Sequence, residues 1–418
     1  MKLNPLLANI QAILLISIVV TLPFFTVFNS FFIILITINS IALRLTCPEN
    51  FKTSKQVSLQ ILLFASLFFL YLFTLLISSQ YGYWYILEKK FSVLAFPLAL
   101  GIATHKLKPK IFNLILIAFV TSTLIAVLIT FAGNLSLLKG IRPEDDIDSF
   151  LIFRRPYFGL YSLFSVFILG YLFINLSNWR LKILLVILAI FFLYFTYLIY
   201  AKMAILSFVI TVFWLFVAMF LSTRRFTRLK WFLISIPIGF LLVFALTPGL
   251  QIILVKIIHF EPFDFSNYKW IYFLSLNMRF AIWDCTWSIL SQGSNWFWGC
   301  GLDHQYLLDQ CYYSSDAVWI KYGILPNLQN HFPYNAHNEY LHVWLDTGII
   351  GLLILLSIIV ISLRIAIKRD NFLYFSFLVF FFLCCITESM FSVQKGIVFY
   401  AFFNSLFAFS QPKNLIKK

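Results

Sequence analysis

Apolar residues in this chain fall into long, nearly unbroken runs separated by short polar stretches. The runs do not alternate with a period of two, so they do not describe the ~10-residue segments of a membrane β-barrel. Many approach or exceed the ~17–20 residues that a helix needs to cross a bilayer. In lipid every backbone polar group must be satisfied internally, which makes helices the expected spanning element. The pattern predicts about twelve spans. Nine lie near 10–28, 31–45, 57–78, 91–104, 111–132, 158–176, 182–200, 203–221 and 231–247. Three more lie near 344–363, 372–386 and 397–410, and the second and fourth of the twelve are short. No internal repeat, flexible linker or low-complexity tail interrupts them. The expected fold is therefore an all-α polytopic membrane protein, a single integral-membrane unit in three stretches. Residues 1–246 carry spans one to nine, 247–343 form one large external loop holding short helices, and 344–418 carry spans ten to twelve and an internal tail.

Composition strengthens that class. Of 418 residues, 61% are hydrophobic and only 11% charged, against roughly 25% charged in soluble domains. Fifty-one phenylalanines exceed what one water-soluble core of this length can hide. The net charge of +15 does not point to nucleic acid, because the basic residues concentrate in alternate loops. With the N-terminus inside, the internal loops hold Arg44, Lys52 and Lys55, then Lys106, Lys108 and Lys110, then Arg180 and Lys182. Arg224, Arg225, Arg228 and Lys230 follow, then Arg364, Lys368 and Arg369, and last Lys413, Lys417 and Lys418. The opposite loops carry the acids, among them Glu88, Glu144 to Asp148 and Asp284 to Asp316. This positive-inside alternation supports the span count independently of hydropathy. The first run, being long enough to remain as a span, does not read as a cleavable signal.

The loop from 247 to 343 is rich in aromatic residues, which argues for order. It holds three of the six cysteines, Cys285, Cys300 and Cys311, of which Cys300 and Cys311 could pair and leave an odd thiol. The other three are Cys47, Cys384 and Cys385, and no CxxC pair suggests a metal.

Several cations share the outer side. Arg142, Arg154 and Arg155 precede the sixth span, Lys202 sits at the turn between spans seven and eight, and Arg279 and His337 lie in the large loop. Such a cluster could grip a lipid diphosphate, arginine by a bidentate fork and lysine as a point charge. Each has an ordinary alternative. Lys202 could snorkel at the interface. Arg142, Arg154 and Arg155 could pair with the acids of their own loop, and Arg279 could pair with Asp284. His337 stands beside Asn338 and Glu339 where an apolar helix begins. Glu339 could orient the imidazole or be a surface acid. Zinc is not expected here. In "HNEYLH" the histidines His337 and His342 are five apart, about 140° off one helical face, so they would not converge on an ion. Trp296, Trp298 and Trp319 could stack on sugar rings or form an interfacial belt, as "YGYWY" at 81–85 also could.

Three stretches together resemble the O-antigen ligase and polymerase superfamily. They are "HNEYLHVWLDTGIIGLL" from His337, "RFAIWDCTWSILSQGSNWFWGCGLDHQY" from Arg279, and "RRPYFGLYSLFSVFILGYLF" from Arg154. The first gives His-Asn followed by Gly-x-x-Gly. The second gives an arginine, a tryptophan and a Trp/Phe-rich turn ending Gly299-x-Gly301, and the third gives arginine, proline, glycine and a helix. The resemblance covers roughly 150–410. It implies a metal-independent glycosyltransferase, without cofactor, in the outer leaflet of a bacterial inner membrane, its active site facing the periplasm. Such an enzyme takes a glycan from undecaprenyl diphosphate and passes it to a hydroxyl on lipid A-core, on a growing glycan or on a protein. His337 matches the family's catalytic histidine and Arg279 its loop arginine. Lys202 stands where many members have arginine, which keeps the charge but loses the fork. A ligase is favoured over a polymerase. A glycolipid transporter or flippase is the rival of another class, and it predicts an internal repeat and charges deep inside spans.

Overall fold

The computed structural model describes residues 5–46, 54–77, 83–103, 107–133, 151–221, 271–302, 304–314 and 335–410. Arg142, Trp319, the acids at 144–148 and the run at 231–247 lie outside them. Among the described residues all regular structure is helical. In chain order the helices are α1 (Pro5–Thr21), α2 (Thr26–Thr46), α3 (Lys55–Ile77), α4 (Trp84–Ala103) and α5 (Pro109–Gly133). Next come α6 (Arg155–Asn175), α7 (Trp179–Leu198), α8 (Lys202–Leu221), α9 (Ile271–Leu290), α10 (Asn295–Trp298) and α11 (His304–Ser314). The last are α12 (Glu339–Lys368), α13 (Phe372–Cys384), a 3-10 turn at Met390–Ser392 and α14 (Gln394–Phe409). Among the described residues, α2, α3, α5, α6, α7 and α12 are long and apolar enough to cross a membrane. The protein is a polytopic helical membrane protein.

Two predicted boundaries need correction. The run read as 10–28 breaks at residues 22–25, so α1 stops at Thr21 and α2 starts at Thr26. Pro23 has no N–H to donate and cannot continue the helix. The two "short" runs form helices of 21 residues in α2 and 20 in α4, and of the two α2 alone is apolar enough over its length to cross a membrane. Among its described residues the large loop holds one 20-residue helix, α9, beside the shorter α10 and α11.

The centre of the bundle is α14, in which every residue from Lys395 to Phe409 is buried. It packs against α4, α12 and α13. Lipid is as apolar as leucine, so helix association here depends on close packing and hydrogen bonds rather than on escape from water. Phenylalanine supplies the packing. Phe403 meets Phe119 edge-on at 5.0 Å, and Phe164 at 4.9 Å. Phe399 stacks on Tyr161 at 4.9 Å. Both ends of α14 are tied by hydrogen bonds. At its start, Lys395 Nζ donates to the Pro23 carbonyl at 3.0 Å, Gln394 Nε2 to Ser30 Oγ at 2.6 Å, and Tyr161 OH to the Lys395 carbonyl at 2.8 Å. At its end, Arg369 donates to the Ala408 carbonyl at 2.5 Å.

α12 has 30 residues, or about 45 Å at 1.5 Å per residue, well beyond a ~30 Å hydrocarbon layer. It bends at Gly348, whose φ is 70°. The kink separates a polar stretch, Glu339 to Thr347, from an apolar one of membrane-spanning length. The turn after α10 fits into this kink. The Cys300 N–H donates to the Leu345 carbonyl at 2.6 Å. Gly299 also has positive φ, 80°, and a Cβ there would lie 2.6 Å from the Leu345 oxygen and 2.7 Å from the Gly348 nitrogen. A Cβ on Gly348 would overlap the Phe297 carbonyl. The Gly-x-Gly and Gly-x-x-Gly elements are thus two halves of one backbone-to-backbone contact.

Candidate active site

His337 lies in a four-residue turn, 335–338, whose members are each held. Its own N–H donates to Asn335 Oδ1 at 2.9 Å, and its φ of 41° is unusual for a side chain of this size. Trp283 Nε1 donates to the Ala336 carbonyl at 3.0 Å. Asn338 caps α12 by accepting from the Leu341 N–H at 3.1 Å. The Glu339 N–H donates to the Cys385 carbonyl at 2.8 Å. The imidazole therefore projects from a fixed backbone and is 31% exposed.

Its Nδ1 faces Glu388 Oε2 at 3.5 Å, longer than a formed hydrogen bond. The other oxygen of the same carboxylate, Oε1, accepts from Arg279 Nη2 at 2.5 Å. Arg279 Nε donates to the neighbouring Thr387 carbonyl at 3.0 Å. Burial alone would raise the Glu388 carboxyl, but His337 and the Arg279 guanidinium outweigh it and hold the group below its usual range. One carboxylate thus joins a histidine and an arginine that are 58 residues apart in sequence. Glu388 was not anticipated. Its only signal is a single acid in the turn between the last two predicted spans, on the same side as His337.

Lys202 opens α8 and is exposed, within electrostatic reach of Arg155 and Arg279. Arg154 is the N-cap of α6 and Arg155 its first residue. Arg154 and Glu388 both act electrostatically on the Tyr157 hydroxyl. The cations at 154, 155, 202 and 279 therefore gather at one end of the bundle with His337. Glu339 departs from both expectations. It is neither a surface acid nor beside His337, but fully buried, with Oε2 accepting from the Phe391 N–H at 2.8 Å. Its place at the first turn of α12 turns it inward under the turn that follows α13.

Trp296 and Trp298 are not brought to this site. They are exposed on α10, which docks at Gly348, about 14 Å down α12 from Glu339 at 1.5 Å per residue. Trp344 Nε1 donates to the Trp296 carbonyl at 2.7 Å and Trp344 meets Trp287 edge-on, so four tryptophans ring the kink where the apolar stretch begins. That is the position of an interfacial belt. The disulfide also differs from expectation. Cys285 on α9 bonds to Cys311 on α11, and Cys300 is free. Cys300 is fixed at the kink by its bond to Leu345, whereas Cys285 and Cys311 share the small apolar core between α9 and α11. The structure buries Lys90, Glu339, Asp346 and Lys395 inside helices.

Residues 164–356 match the family model described as O-antigen ligase, a stretch running from α6 through Arg279 and His337 into α12. Just under half of the chain is thus similar to the O-antigen ligase superfamily. No curated protein matches it. That similarity points to ligase- or polymerase-type function in general. The arrangement can do two things chemically: it offers an imidazole facing a carboxylate, and beside it several cations suited to phosphate oxygens.

Proposed function

We propose that this protein is an O-antigen ligase that moves a glycan from undecaprenyl diphosphate to a hydroxyl of lipid A-core at the periplasmic side of a bacterial inner membrane. The observation that carries the reading is the meeting of His337 and Arg279 on the Glu388 carboxylate, with Lys202 and Arg155 in reach. The periplasmic assignment follows from the basic residues Arg44, Lys108, Arg180 and Lys368, which occupy the opposite helix ends.

In the proposed reaction the acceptor oxygen bonds to the anomeric carbon as the bond from that carbon to the diphosphate oxygen breaks. Undecaprenyl diphosphate leaves with the electron pair, and direct displacement inverts the anomeric centre. Arg279, Lys202 and Arg154 or Arg155 offset the charge that develops on the leaving group. A carboxylate opposite Nδ1 favours the tautomer with its proton there, which leaves Nε2 to take the acceptor proton. Glu388 then faces the imidazolium that forms. No step is routed through a metal.

Reconstitution with an undecaprenyl diphosphate glycan and three acceptors tests this reading. The wild type is expected to glycosylate lipid A-core. His337→Ala is expected to lose about 10²-fold or more of that rate, the usual weight of a general base. Transfer to a second repeat unit alone would make the protein a polymerase, and transfer to peptide serine a protein glycosyltransferase. Unchanged transfer by the variant would remove His337 from the mechanism.

A further inference from the structure

A second group of ionisable side chains lies beneath the site and takes no part in the transfer derived above. His304 opens α11, and His342 and Asp346 lie one turn apart on α12. A spacing of four puts the last two on one helical face. All three are buried, at 2%, 6% and 1% exposure. His304 Nδ1 is 2.7 Å from Asp346 Oδ1, and His342 Nε2 is 3.5 Å from Oδ2. The two imidazole rings stand perpendicular with centroids 4.5 Å apart. One donor atom from each residue lies within 4.8 Å of the other two.

Their surroundings add two observations. Tyr71 OH donates to Asp346 Oδ2 at 2.7 Å, and Ser392 Oγ lies 3.2 Å from His342 Nε2. Among the described residues, His304 Nε2 and His342 Nδ1 have no hydrogen-bond partner. Buried Lys90 lies within electrostatic reach of two buried carboxylates, Asp346 and Glu339.

A simple histidine–aspartate pair needs one imidazole. Here two imidazoles from different segments converge on one carboxylate, which a tyrosine holds from behind. Two nitrogens and a carboxylate oxygen form a donor set suited to zinc, and the tyrosine is the kind of outer partner that orients such a carboxylate. We propose that His304, His342 and Asp346 bind one Zn²⁺ that pins α11 to α12. Donor atoms around tetrahedral zinc stand about 3.3 Å apart, so the 2.7 Å His304–Asp346 contact must open by a few tenths of an ångström. The ion would fasten the near end of α11, as the Cys285–Cys311 disulfide fastens its far end to α9. Reading "HNEYLH" along a single helix could not show this site, because the second imidazole comes from α11. The proposal goes beyond the transferase reading and does not rest on it.

The test uses the full-length chain purified in detergent without a polyhistidine tag or chelator. Elemental analysis should find about one zinc per chain, lost in His304→Ala and in Asp346→Asn. Stripping zinc from the wild type should lower its Tm, and added Zn²⁺ should restore it. Monodisperse elution of the variants shows whether they fold. If they do not, the strip-and-restore measurement on the wild type decides alone. No zinc uptake and no Tm response to Zn²⁺ in the stripped wild type would overturn the proposal in favour of a proton shared by the cluster. Uptake that persists in both folded variants would place the ion elsewhere and also overturn it.

Discussion

Glu388 contacts two groups with different tasks, and replacing it should separate them. In Glu388→Gln the amide keeps the shape but loses the charge facing His337 and Arg279. A charged contact of this kind is worth roughly 1.5–3 kcal/mol, so transfer should fall about 10- to 100-fold. The acid limb of the kcat–pH profile should also change, because the titrating Glu388 carboxyl is gone. An unchanged rate and profile would show that Glu388 only fills space. The sign for stability follows from the depressed carboxyl. Its ion pair is fully present above the ordinary carboxylate range and is lost as pH falls through the lowered value. Tm should therefore drop on that acid limb in the wild type and stay flatter in Glu388→Gln. His337 and Arg279 were legible in the sequence because each sits inside an extended motif. Glu388 was not, since a lone acid in an apolar turn looks like any loop acid and its partners are 109 and 51 residues away. Glu339 misled for the opposite reason. Adjacency to His337 in sequence suggested contact, but so close to the helix start the two side chains diverge.

At the scale of elements, the contact between the α10 turn and the α12 kink makes a sharp prediction. Gly348→Ala places a methyl group on the Phe297 carbonyl at a positive φ. The left-handed backbone alone costs about 1–2 kcal/mol, and the overlap adds to it. The variant should melt earlier than Gly351→Ala, where the nearest obstacle is the movable Thr347 side chain. Equal Tm values would mean that the turn does not seat in the kink in solution. Cys311→Ser opens a cross-link spanning 26 residues and should cost about 2–4 kcal/mol, whereas Cys300→Ser should leave the cross-link intact. Non-reducing gel mobility and Tm would show both. Helix existence was legible for the apolar runs that the structure describes, because run length in lipid is dictated by bilayer thickness, but the 20-residue α9 in the large loop was not. Helix ends were less legible. At Pro23 hydropathy continues across a break that only the missing N–H imposes. The cysteine pairing was also hidden, since sequence spacing says nothing about which thiols meet across a core.

For the whole molecule, the alternation of basic and acidic loops supports the proposed orientation, which can be measured. A single cysteine placed at Asn335 should react with a membrane-impermeant maleimide added to intact spheroplasts, and one placed at Lys108 should not. Reactivity of the Lys108 position alone would invert the topology and carry the proposed site to the wrong compartment. What the sequence could not show is how the helices nest. Each apolar run looks alike, and nothing in a run of phenylalanines says which one will be the axle. That place belongs to α14, sealed on all sides by helices made before it. A ribosome delivers Gln394 to Phe409 after every other described helix. The earlier helices must therefore wait in the bilayer around a vacant slot, with Phe119, Tyr161, Phe164 and Phe377 facing lipid or one another. Assembly is thus a closing step rather than a gradual accretion, and damage to this one late segment should send otherwise well-inserted chains to proteolysis.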